Sequence, residues 1–122
     1  MSEGHGYARL CEEIKRELSA IVEFEARDPV LREAFPTIMA VKLSPDARYA
    51  KVYVAIGTST ADKRAVIAAF RRDRGFFRSQ LAKRLPIRYT PQLEFILDET
   101  VEKALHLDQL LHDEEPPAPD PR

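Results

Sequence analysis

The chain has 122 residues, 44% hydrophobic and 32% charged, which suits one folded core plus a tail, and no apolar run approaches the ~20 residues that span a bilayer. The single cysteine, Cys11, excludes an internal disulfide, and the polar start Met1-Ser2-Glu3-Gly4-His5 carries no apolar signal core, so a cytoplasmic protein is expected. The formal net charge of −1 conceals a segregation: nine basic residues and one acid, Asp73, lie between Lys63 and Arg88, a local +8, while the remainder sums to −9. Asymmetry of this kind points to a polyanionic partner.

Residues 1–6 are expected to be disordered. From about Tyr7 to Phe24, Leu10, Ile14, Leu18, Ile21 and Val22 recur at helical spacing, opposite a face of Glu12, Glu13, Lys15, Arg16, Glu17 and Glu23. Cys11 sits beside that stripe and reads as a small packing residue. Glu25 to Pro36 reads as a loop, in which Asp28-Pro29 permits a turn or a new helical start and Val30 to Phe35 gives a short helical turn. Thr37 to Leu43 is a predicted strand, with Thr37, Met39, Val41 and Leu43 on one face by alternation. Ser44-Pro45-Asp46 turns the chain. Tyr49 to Ile56 follows as a second strand with Ala50, Val52, Val54 and Ile56 toward the core, and the short turn makes the pair an antiparallel hairpin.

Gly57-Thr58-Ser59-Thr60 is a loop that ends in good N-cap residues for a helix over about 61–72, which buries Ala65, Val66, Ala69 and Phe70. A further helix over about 75–85 buries Phe77, Leu81 and Leu85. Gly75 is expected to break the two helices through a positive φ, with Asp73 capping the second. Pro86 and Pro91 bracket a short connection to a third strand, Leu93 to Leu97. Residues 99–112 read as a marginal amphipathic helix, with Leu105, Leu107, Leu110 and Leu111 apolar. Residues 113–122, with four prolines and four acids, read as a disordered tail. Residues 7–98 therefore form one α+β domain of order α-β-β-α-α-β, its helices packed on one face of a three-stranded mixed sheet in two layers.

That order, with a glycine between paired helices, resembles the type II KH fold. The residues resemble one family within it, bacterial ribosome-binding factor A. The likeness runs from Arg9 to Asp98. It is carried by Arg9-Leu10 with Ile14 and Glu17-Leu18, then Arg27-Asp28-Pro29. Val41-Lys42-Leu43-Ser44-Pro45-Asp46 follows with Ala50, then Val52-Tyr53-Val54. Gly75, Arg78, Leu81-Ala82, Leu85, Ile87-Arg88, Pro91, Leu93, Phe95 and Asp98 complete it. The resemblance implies a late small-subunit assembly factor that is not an enzyme, binds the immature 30S subunit near its decoding region, aids maturation of the 5′ end of 16S rRNA and is needed in the cold. It also implies an Ala-x-Gly kink in place of the usual KH Gly-x-x-Gly loop. Here the kink reads Asp73-Arg74-Gly75, so the glycine matches and an acid replaces the alanine, which disfavours a phosphate at that point.

The residues expected to meet RNA are Lys63, Arg64, Arg71, Arg72, Arg74, Gly75, Arg78, Lys83, Arg84 and Arg88. A solvated face is the bland alternative, but such faces mix signs and this one does not. Phe77 reads as core. Phe76 is ambiguous, and Tyr49, Tyr53 and Tyr89 could stack on bases, although sheet packing is the commoner role. The partners expected are 16S rRNA of the small subunit and adjacent ribosomal proteins, with no membrane, and a monomer when free. His5, His106 and His112 do not converge and no glycine-rich phosphate loop follows a strand, so no metal, cofactor or catalytic residue is expected. Two other readings stay open: a protein-binding adaptor using the segment Leu105 to Leu111, and a small α+β hydrolase with a basic anion site. The hydrolase would need a positioned nucleophile or base, and neither Cys11 nor a histidine lies near the basic stretch in sequence.

Overall fold

A computed structural model describes residues 3–57 and 61–100. The elements follow in the order α1 (Glu3–Glu25), α2 (Pro29–Ala34), β1 (Pro36–Leu43), β2 (Tyr49–Ile56), α3 (Lys63–Arg72), α4 (Arg74–Arg84) and β3 (Gln92–Leu97). The sheet order is β1-β2-β3, with β1 antiparallel to β2 and β2 parallel to β3. The α+β order and the mixed sheet are as expected. The segment Leu105 to Leu111, the acidic tail, His106 and His112 lie outside the described residues.

The core is built by the faces that periodicity marks. Ile14, Leu18 and Ile21 of α1 are fully buried, as are Ala50, Val52 and Val54 of β2. Phe70 of α3, Phe77 of α4 and Phe95 of β3 are fully buried and form one aromatic cluster, with ring centroids 4.8 Å apart for Phe70–Phe95, 5.6 Å for Phe70–Phe77 and 5.8 Å for Phe77–Phe95. Each buried ring is worth about 1.5–3 kcal/mol of transfer energy, so this cluster is what fixes the paired helices to the sheet. Cys11 is buried in the same core.

Four local expectations are corrected. Helix α1 starts at Glu3, so residues 3–6 are helical; the Tyr7 hydroxyl donates to the Leu43 carbonyl and accepts from the Leu43 N–H at 3.1 Å, which ties the first turns to β1. In β1 the alternation is reset by a bulge between Ile38 and Ala40. The extra residue puts Ile38 in the core with Val41 and Leu43 while Met39 is only half-buried, so the predicted face of Thr37 and Met39 is wrong N-terminal to the bulge. Helix α3 is capped by Asp62, whose carboxylate accepts from the N–H of Arg64 at 3.0 Å and of Ala65 at 3.3 Å, while the hydroxyl residues 58–60 expected to cap it lie outside the described residues. A carboxylate only accepts, and its charge suits the positive end of the helix.

The fourth correction concerns the joint between α3 and α4. No glycine among the described residues has a positive φ, and Gly75 lies inside the first turn of α4. The break falls at Asp73, whose φ of −97° and ψ of 11° leave the helical region without left-handed backbone. The Asp73 N–H donates to Ala69 O at 3.0 Å and its carbonyl accepts from the Phe77 N–H at 3.1 Å, so one residue closes α3 and opens α4 through its backbone. Its side chain makes no capping hydrogen bond.

Candidate nucleic-acid interface

The outer faces of α3 and α4 follow from the same periodicity that fills the core. With Val66, Ala69 and Phe70 turned inward, Arg64, Ala68, Arg71 and Arg72 are left exposed on α3. With Phe77 and Leu81 inward, Arg74, Gly75, Ser79, Ala82 and Lys83 are exposed on α4. Lys63, Arg64 and Arg71 line one shallow groove against the end of β3, with Glu99 on its rim.

The ten candidate residues do not stand alike. Arg72 forms an ion pair with Asp28, and that carboxylate also accepts from the Val30 N–H at 2.9 Å. The Val30 N–H and the Arg72 guanidinium together hold the Asp28 carboxyl below its ordinary range. Arg84 pairs with Glu25 and, at 3.5 Å, with Glu17, which ties α4 to α1. Arg78 is half-buried: its Nε donates to Thr90 O at 3.0 Å and Pro91 O at 3.2 Å, and a terminal nitrogen donates to Thr90 O at 2.7 Å. These three residues brace the helices against the rest of the protein. Arg71 reaches the Phe95 carbonyl only at 3.4 Å, and Lys63 is half-buried and engaged within the protein.

Of the ten candidates, four cations remain exposed with no side-chain hydrogen bond or ion pair among the described residues, Arg64, Arg74, Lys83 and Arg88; Arg71 is also exposed and meets no carboxylate, only the Phe95 carbonyl. Gly75 is exposed beside Arg74, and a methyl group added there would meet nothing within 4 Å. Phe77 is core, and Phe76 packs edge-on against it at 5.5 Å with the Arg27 guanidinium 6.0 Å from its ring, so neither phenylalanine is free to stack. Two basic residues outside the paired helices also meet aromatic rings. The Lys42 ammonium lies 5.5 Å from the Tyr53 ring centroid, and the Arg48 guanidinium 5.6 Å from that of Tyr89. A count of charge along two helices does not reach Arg48, which comes from the hairpin turn. The signal was the Arg48-Tyr49 pair after a tight turn.

Among the described residues no group of three or more potential metal ligands converges, and no helix is long and apolar enough to cross a membrane.

A two-layer α-β-β-α-α-β domain, with paired helices crossing from the hairpin to a parallel third strand, belongs to the type II KH class. A family model described as ribosome-binding factor A matches residues 7–111. A ribosome-binding factor A from Heliobacterium modesticaldum is 41% identical over 108 residues, covering 88% of each chain. The crystal structure of ribosome-binding factor A from Thermus thermophilus superposes with a TM-score of 0.66 at 29% identity, covering 75% of this chain and 93% of that one. A homology model of the Thermus thermophilus factor, fitted into the cryo-EM map of its complex with the 30S subunit, gives 0.60 at 28% identity over 73% and 91%. The chain belongs to the ribosome-binding factor A family.

Proposed function

We propose that this protein is a cytoplasmic assembly factor that binds the immature small ribosomal subunit, and that it does so by laying the outer faces of α3 and α4 against 16S rRNA. Arg64, Arg74, Lys83 and Arg88 supply uncompensated charge. Lys63, Arg71 and the solvent side of Arg72 supply further donors, Gly75 leaves room for close approach, and Arg78 and Arg84 hold the surface in shape. Adjacent ribosomal proteins share the contact, and the free protein is a monomer. The factor acts by binding rather than by catalysis: it aids maturation of the 5′ end of 16S rRNA by holding a subunit conformation, and its loss is felt most in the cold.

The observation that carries this reading is the set of four exposed, unpaired cations on and just after two consecutive helices of a domain whose Thermus thermophilus relative was fitted to a 30S complex. Folded proteins ordinarily intersperse signs on a surface, and exposed cations that no carboxylate answers, gathered on consecutive elements, are the footprint of a polyanion. The test is co-sedimentation with small subunits after reversing the four charges (R64E, R74E, K83E, R88E). The folded variant is expected to stay in the supernatant and to leave 5′-extended 16S rRNA in a strain that depends on it. Co-sedimentation equal to the parent protein would refute the reading.

A further inference from the structure

The helices are not the only place where cations and a planar ring converge. At the end of the sheet, the connection after α4 brings Tyr89 beside the hairpin turn. The Arg48 guanidinium lies 5.6 Å and the Arg78 guanidinium 5.5 Å from the Tyr89 ring centroid. Tyr89 is 44% exposed, and Tyr49, next to Arg48, is 61% exposed. Arg88, one of the four unpaired cations, precedes Tyr89 in the chain.

The two guanidiniums are held differently. Arg78 is a fixed wall, since three hydrogen bonds from its head reach the carbonyls of Thr90 and Pro91. Arg48 is the free side: its side chain is 65% exposed and its ion pair with Asp46 is long, at 3.9 Å. The backbone that presents Arg48 is nevertheless rigid. Ala47 is held in the left-handed region at φ 59°, where an L-residue costs about 1–2 kcal/mol. Four hydrogen bonds over-determine the turn: Ala47 N–H to Ser44 O at 2.8 Å, Ser44 Oγ to Asp46 Oδ1 at 2.7 Å, Arg48 N–H to Asp46 Oδ1 at 3.1 Å, and Tyr49 N–H to Ser44 Oγ at 3.0 Å. Gln92 N–H then donates to Arg48 O at 2.8 Å, which locks the turn to the start of β3. The turn thus holds Arg48 and Tyr49 at a fixed place beside Tyr89.

We propose that Arg48, Tyr89 and Arg78 form a nucleotide clamp that takes one unpaired base of single-stranded RNA. The base inserts between the Tyr89 ring and the Arg48 guanidinium, which is free to move outward and close over it while Arg78 stays fixed against the ring, and the flanking phosphates meet Arg48 and Arg88. The inference rests on the reading of α3 and α4 as an RNA surface and extends it around the end of the sheet. Chemistry selects single strands. A π-face and a guanidinium plane need a base free of its own stack, which duplex RNA does not offer.

The test measures binding of three labelled probes: an unstructured RNA hexamer, a hexamer of the same backbone without bases, and an RNA duplex. Tyr89→Ala is expected to weaken the hexamer by about fivefold or more, the loss of one stacked base, and to leave the abasic probe and the duplex unchanged. Tyr89→Phe, which keeps the ring, is expected to bind as the parent does and also controls for folding. Three results overturn the clamp: no loss on the hexamer with Tyr89→Ala, an equal loss on the abasic probe, or displacement of the hexamer by a glutamate-rich peptide as readily as by RNA. The variant with the Arg64, Arg74 and Lys83 charges reversed separates the two readings. If it still loses RNA while Tyr89→Ala does not, the clamp is wrong and the helix surface stands; if it loses nothing, the helix reading fails first.

Discussion

Neutralising the four unpaired cations (R64Q, R74Q, K83Q, R88Q) tests how much of the binding energy is counterion release. For single strands, each neutralised phosphate contributes about −0.7 to the slope of log affinity against log salt. Four such contacts give a slope of about −2.8, so affinity falls roughly fiftyfold as salt rises fourfold, from about 50 to 200 mM. The variant is therefore expected to show a slope shallower by nearly three. A control pair of substitutions, R72Q and R84Q, removes two cations that Asp28, Glu17 and Glu25 already offset. That pair is expected to change the slope by much less and to show itself as a modest loss of thermal stability instead. The assay is a salt series of RNA or subunit binding at constant pH. The reasoning is refuted if the quadruple variant keeps its slope to within about one unit, or if R72Q with R84Q flattens it equally.

Two glycines, Gly57 and Gly75, predict opposite outcomes. An added methyl at Gly57 would sit 2.9 Å from the Phe35 carbonyl oxygen, so Gly57→Ala should destabilise by about 1–3 kcal/mol and lower the melting temperature by several degrees. Gly75→Ala meets nothing and gains helix propensity, so a thermal melt should show equal or higher stability while subunit binding falls, if RNA backbone approaches there. Acid titration should find stability held at neutral pH and lost below the ordinary carboxylate value of 3.8, as the lowered Asp28 and Asp46 carboxyls protonate. Asp28 is lowered first by the Val30 N–H and Asp46 first by the Ser44 hydroxyl; each stabilising contribution is present above 3.8 and disappears as pH falls through the depressed folded value. Asp28→Asn, followed by circular dichroism from neutral to acid pH, should flatten part of that fall.

Periodicity was enough to read the element order, because the two signals that define it are local. The stripe of Ile14, Leu18 and Ile21 and the alternation of Ala50, Val52 and Val54 each lie within one element, and all six residues are fully buried. What could not be read is what depends on a neighbour far along the chain. The bulge in β1 is a property of its register with β2. Gly75 looked like a chain break because glycine permits positive φ, yet the helix simply runs through it, and Asp73 makes the joint with ordinary backbone. The composition of the basic stretch was legible, but its division was not. Arg72 and Arg84 find carboxylates 44, 59 and 67 residues away, and no spacing rule connects them.

That division decides how a polyanion meets the surface. A guanidinium has five donors, and a carboxylate on one edge leaves others free. Arg72 keeps 61% of its side chain exposed, so it can still donate to a phosphate, although its charge is already balanced by Asp28. Arg84, at 30%, has less to offer. Contacts and released counterions therefore need not agree in number: arginines paired with carboxylates add hydrogen bonds and orientation, while the cations that no carboxylate balances, the unpaired four and Arg71, set the salt dependence. The paired residues also hold what the unpaired ones present, since Arg84 ties α4 to α1, Arg72 ties α3 to the start of α2, and Arg78 ties α4 to the chain before β3. A single residue type thus supplies both the frame and the charge, and the carboxylates and carbonyls contributed by α1, the start of α2 and the chain before β3 determine which arginine does which.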